Sequence, residues 1–170
     1  MKKQIVYCKF VPRVFAMTID LIVLSIIMTP IMNVISQYIF LHLFQDFFVT
    51  HSVDMSDKMA VSAVIRTQEF ASYATANKFF TYFGLVFTLN TLFMGAYFVF
   101  FWRKFNATPG KMIMRMRVVD ADDFSTPSTY RLIKRFVSYV TALIGIWSII
   151  FNKRGMSLHD KIANTVVIKS

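Results

Sequence analysis

The chain has 170 residues, of which 56% are hydrophobic, 16% aromatic and only 16% charged; mean hydropathy is +0.53, and 19 Lys+Arg face 9 Asp+Glu. Nineteen Phe exclude a disordered chain, a lone Cys8 excludes a disulfide scaffold, and the length excludes a large multidomain enzyme. Apolar bulk with sparse, mostly basic charge indicates an integral membrane protein facing anionic lipids.

Three apolar runs follow in chain order. The first, from Val14 to about Phe44, is broken by Asp20, Asn33, Gln37, His42 and Pro30. It predicts a helix entered at Pro12, spanning the membrane over about 14–38 with a kink at Pro30, and residues 39–49 riding at the interface. A signal peptide is the rival reading of Met1-Lys2-Lys3 and this run, but the run is far longer than an h-region and no small-residue cleavage pattern follows. The 45–78 segment reads as a partly helical outer loop with Asp54 or Ser56 as an N-cap.

The second run, Phe79 to Trp102, contains no charge and closes on Trp102-Arg103-Lys104, an interfacial aromatic followed by basic anchors. At ~1.5 Å per residue it exceeds the ~30 Å hydrocarbon core. The third, Phe136 to Phe151 with Gly145 inside, is short for a crossing. It is either a span extended back to Tyr130 (about 130–151) or a re-entrant segment. Met114–Val119 alternates apolar and basic residues, and Thr165–Ile168 is β-branched; these two stretches predict a small β pair.

Charge by segment sets an orientation. Residues 1–13 carry four bases and no acid, 45–78 three and four, 103–135 eight and three, and 152–170 four and one. The positive-inside rule puts the N-terminus and 103–135 in the cytoplasm and 45–78 outside. A β pair sharing one compartment favours a cytoplasmic C-terminus, with the third run dipping into the membrane; an ordinary third span with the tail outside is the alternative. The fold class expected is thus an all-α integral membrane protein, one domain over 1–170, with two transmembrane helices, a third short hydrophobic segment and a small cytoplasmic β pair.

Arg13 and Asp20 are seven residues apart and share one face of the first helix. A carboxylate at that depth costs on the order of 3 kcal/mol unless compensated. Two readings stay open: an ion or proton site, or a lock in which Asp20 pairs with Arg131, Lys134 or Arg135. In the second span Thr81, Gly84, Thr88, Thr91 and Gly95 form a small-residue stripe suited to helix packing. Thr108-Pro109-Gly110-Lys111 reads as a turn in which Pro presets φ and Gly permits φ > 0; Walker spacing is absent. His42, His51 and His159 share no metal-ligand spacing, and no nucleophile–base arrangement stands out. The expectation is therefore no enzyme, no cofactor, no metal and no nucleic-acid partner, with the basic flanks binding lipid headgroups.

Pro12-Arg13-x-x-Ala16-x-x-x-Asp20, Thr108-Pro109-Gly110-Lys111, Arg117-Val118-Val119-Asp120 and Leu158-His159-Asp160-Lys161-Ile162-Ala163-Asn164-Thr165-Val166-Val167, in this order, resemble the RDD family of membrane proteins. The resemblance maps the family's Arg onto Arg13 and its two Asp onto Asp20 and Asp160, and covers most of the chain outside 45–78. Three positions depart: Arg115, Phe124 and Asn164 stand where the family favours Gly.

Some family members look like cation/proton antiporters, which implies Asp20 as the cation or proton carrier with Asp160 as a cytoplasmic-side partner. Two or three spans enclose no pathway, so transport implies a homo-oligomer or a membrane-protein partner. A non-transport assembly subunit is the alternative. The family's usual home implies a bacterial inner membrane.

Overall fold

The computed structural model describes residues 6–141 and 155–169. Most of the third apolar run, and with it the choice between a span and a dip, lies outside the described residues.

Helix α1 (Phe10–Leu43) is followed by α2 (Gln45–Thr50), α3 (Lys58–Ile65) and α4 (Gln68–Tyr73). The second long helix, α5 (Ala76–Phe105), leads into α6 (Pro109–Ile113), strand β1 (Met116–Asp120), α7 (Thr129–Val137) and a 3-10 turn (Ser138–Thr141). The chain closes with α8 (Leu158–Ile162) and β2 (Thr165–Lys169). The mostly helical fold, the two long apolar helices and the strand pair agree with the sequence reading. Helix α1 is longer than predicted at both ends; at its start it runs past Pro12, which lacks only an N–H that the first turn leaves unpaired anyway. Pro30 lies within it without ending it.

The two long helices are built inside out relative to helices of a water-soluble protein. Their most apolar 18-residue windows have mean hydropathies of 2.2 and 1.7, yet only 17% and 6% of those windows is buried. On α1 the covered face near the N-terminus is Arg13, Ala16 and Asp20, while Phe15, Leu21 and Ile26 are exposed. On α5, Phe80 and Phe87 are 77% and 73% exposed. Polar groups inward and aliphatic groups outward is the arrangement hydrocarbon solvent selects.

Two compact bodies can be distinguished. One comprises Ile27–Leu92, the other the chain up to Ile26 together with Phe93 onward. The first is held by an aromatic cluster: Phe44, Phe47, Phe48 and Phe70 are buried, with Phe40 and Tyr73 packed against them. Phe44 and Phe70 have ring centroids 5.2 Å apart, and Phe47 meets Phe70 edge-on at the same separation. Two of the short helices of this body, α3 and α4, are capped by polar side chains, whereas α2 has no side-chain cap. Asp57 accepts from the N–H groups of Met59 and Ala60, and Thr67 from that of Phe70. Asp57 is thus the cap expected at Asp54 or Ser56; Asp54 instead accepts from the Ser56 N–H at 2.8 Å, forming the turn before it.

The second body contains the sheet. β1 and β2 pair antiparallel, from Met116↔Lys169 to Asp120↔Thr165. Val118, Val119, Val166 and Val167 are buried. The other edge of β2 takes up residues 6–8: Tyr7 bridges Ile168, and the Cys8 N–H donates to the Val167 carbonyl at 3.1 Å. Arg115, Phe124 and Asn164, the three residues standing where glycine is favoured, have φ of 53°, 60° and 51°. All three occupy the left-handed region, so the glycine preference has a backbone cause.

Candidate functional site

The second body buries charge where the first buries rings. Arg13, Asp20, Lys111, Arg135 and Asp160 are each less than 10% exposed, and they come from four helices, Arg13 and Asp20 sharing α1. Their partners are specific.

Asp160 is the hub. It sits at the N3 position of α8, where a capping box forms: the Ser157 hydroxyl accepts from the Asp160 N–H, and the Asp160 carboxylate accepts from the Ser157 N–H at 3.0 Å. The same carboxylate pairs with Arg13 from α1 through one oxygen and with Arg135 from α7 through the other, the latter at 2.5 Å. Arg13 is oriented further by donating Nε–H to the Cys8 carbonyl at 3.2 Å. Arg135 donates to the Thr165 hydroxyl at 2.5 Å and lies 5.3 Å from the Trp102 ring. One carboxylate therefore ties α1, α7, α8 and the start of β2 together.

The electrostatics follow from this geometry. Burial alone raises the pKa of Asp160, but Arg135 and Arg13 outweigh it and hold the carboxyl well below the usual range. His159, beside it, is desolvated and faces Arg135, which pushes its pKa down to about 3 and keeps the ring neutral. Its Nε2 lies 2.8 Å from the Ser157 hydroxyl, and its ring meets Tyr139 edge-on. Burial likewise raises the Cys8 thiol above its ordinary value.

Asp20 has different partners from those the spacing suggested. It does not face Arg13, whose charge is taken by Asp160. Nor does it pair with Arg131, Lys134 or Arg135: Arg131 binds Asp120 and lies 3.5 Å from Asp122, Lys134 is exposed, and Arg135 goes to Asp160. Instead Asp20 Oδ1 accepts the Gly110 N–H at 2.7 Å and Oδ2 the Thr108 hydroxyl at 2.5 Å, with Lys111 Nζ 3.8 Å from Oδ2. The carboxylate of one helix thus takes one open N–H and the N-cap hydroxyl at the start of another.

That contact explains Thr108-Pro109-Gly110-Lys111. The segment begins α6, with Thr108 extended at the N-cap and Pro109 in the first turn, and is not a turn requiring a left-handed glycine. Gly110 is needed for closeness: a Cβ there would lie 2.1 Å from the Ala16 carbonyl oxygen and 3.0 Å from Asp20 Cγ.

The small-residue stripe of α5 divides. Gly95 is covered by Phe136, whose ring atom would stand 2.8 Å from an added Cβ, so it does serve packing. Gly84 has nothing within 4 Å of its Cβ position, Thr91 is half-buried, and the hydroxyls of Thr81 and Thr88 bond to the Asn77 and Gly84 carbonyls. Sequence reasoning missed Ser157, Thr165 and Tyr139 as members of the cluster. Ser157-x-x-Asp160 was readable as a capping box; Thr165 and Tyr139 carry no local signal.

The pairing of an arginine at the start of the first long helix with an aspartate near the end of the chain matches the motif order noted in the sequence. The RDD family model matches residues 7–164. The chain belongs to the RDD family. An uncharacterized protein of Rickettsia prowazekii (strain Madrid E) is similar to it, 38% identical over 177 aligned positions that cover all of both chains. No solved structure matches. For this RDD protein, Arg13 and Asp160 form one buried pair, whereas Asp20 belongs to a second contact with the segment at 108–111.

Proposed function

We propose that this RDD protein is a multi-pass protein of a bacterial inner membrane, N-terminus cytoplasmic, that moves a cation or small solute as a subunit of an oligomer or with a membrane-protein partner. One observation carries the transport reading: Lys111 Nζ remains 3.8 Å from Asp20, outside hydrogen-bond range, so a membrane carboxylate has a cationic neighbour that another cation can replace. Asp160, doubly held by arginines, is a fixed charge in this scheme, and Asp20 is the exchanging one. The orientation rests on the basic flanks at 1–13 and 103–135.

A second reading, a non-transport assembly subunit, is favoured by a different observation. The Thr108 hydroxyl and Gly110 N–H already occupy both Asp20 oxygens, as a structural clamp would. Proteoliposomes holding the full chain decide between them. Transport predicts a cation-dependent pH change that Asp20→Asn abolishes while the protein still inserts and keeps its oligomeric state. A pH change that survives Asp20→Asn, or none in the wild type, leaves the assembly reading standing.

A further inference from the structure

Beyond the buried cluster, the second body carries a cavity of about 230 Å³ lined by Phe105, Ala107, Met112, Arg115, Met116 and Arg117. It sits immediately past the charge-free run of α5, after Trp102, Arg103 and Lys104. Its wall is of two kinds. Phe105 and Met112 are 44% and 40% exposed, with Ile113 beside them more exposed still, so apolar surface faces outward. Arg115 and Arg117, both exposed, supply positive charge on the same opening.

Arg115 is the unusual member. Its backbone lies in the left-handed region at φ 53°, which glycine adopts without penalty and an arginine does not. Its side chain makes no hydrogen bond or ion pair among the described residues and is exposed at the cavity.

We propose that this cavity binds one acidic phospholipid, its headgroup phosphate on the guanidinium of Arg115 with the charge of Arg117 beside it, and its acyl chains along Phe105, Met112 and the end of α5. Charge complementarity selects an anion, bidentate arginine suits a phosphate, and the apolar wall selects one that carries hydrocarbon. The site presupposes the membrane insertion proposed above, and its lining residues are not those that bind Asp20.

Native mass spectrometry of the full chain, released from nanodiscs of phosphatidylglycerol and phosphatidylcholine, tests this. The wild type should retain one phosphatidylglycerol in preference to phosphatidylcholine. Arg115→Gly, which suits the backbone, should weaken that retention about fivefold, the contribution of one basic residue at an anionic surface, without lowering thermal stability in neutral detergent. Inorganic phosphate at matched concentration should not displace the lipid; displacement would make the site one for a free anion and overturn the lipid assignment. Equal weakening by Arg103→Gln would show diffuse surface attraction and overturn the site, as would unchanged retention in Arg115→Gly. Failure of the protein to enter nanodiscs at all would overturn the membrane reading itself, an outcome distinct from insertion with equal retention of both lipids.

Discussion

The two bodies solve the same problem with opposite materials. The Ile27–Leu92 body is closed by Phe44, Phe47, Phe48 and Phe70, drawn from one continuous stretch of chain, and its contacts are apolar and weakly directional. The other is closed around Asp160, Arg13 and Arg135, drawn from opposite ends of the chain, and each contact has one allowed geometry. An aromatic core accepts any side chain of about the right volume. A buried ion triad accepts almost no substitution, because removing one member strands the others.

The sharpest way to break this contrast is Asp160→Asn. It leaves Arg13 and Arg135 buried without a counter-charge, and should cost about 3–5 kcal/mol, read as lost accumulation in membranes and a lowered unfolding temperature in detergent. A variant of near wild-type stability would mean that water or lipid already solvates the arginines. Gly110→Ala comes next. Because its Cβ would meet backbone, the Ala16 carbonyl, α1 and α6 must separate, at about 1–3 kcal/mol.

The third test uses pH. His159 has a folded pKa of about 3, below its unfolded value, so the unfolded chain binds more protons between those limits. Its contribution to stability is complete above the unfolded pKa and is lost as pH falls toward 3, at up to about 1.4 kcal/mol per pH unit. Denaturant midpoints from pH 7 to 4 should fall more steeply for the wild type than for His159→Gln; parallel slopes would refute the buried neutral ring. Asp160 stays ionised in the folded chain, but its unfolded carboxyl begins to take up a proton below about pH 5, so it adds slope only at the acid end of this window, and equally in both proteins. The smallest effect is expected in the aromatic body. Phe70→Leu keeps most of the apolar volume and should cost about 1 kcal/mol in a denaturant titration. A loss as large as that of Asp160→Asn would erase the distinction.

What was legible in the sequence was whatever depended on local pattern. Long apolar runs gave the two helices, and alternation at 114–119 with β-branching at 165–168 gave the strand pair. Partner choice was not local. Asp20 was recognised as a costly charge, but its clamp comes from Thr108 and Gly110, whose composition reads as an ordinary turn until α1 is laid against it. The helical spacing of Arg13 and Asp20 was correct and misleading, since sharing a helix face does not make two groups partners. Residues 6–8 escaped because three residues are too few to show a period, although they complete one edge of the sheet. The departures at Arg115, Phe124 and Asn164 were visible as letters, and only their φ values gave them a physical meaning.

The 147 residues that separate Arg13 from Asp160 also set a clock. At ribosomal rates of about 5–20 residues per second, Arg13 waits on the order of 7–30 s after its own synthesis before its carboxylate exists. The aromatic body is complete well before then. During that interval Arg13 lacks the carboxylate that neutralises it in the folded chain. Chains that stop short of Asp160 never leave that state, and leave Arg13 and, once made, Arg135 without their shared counter-charge.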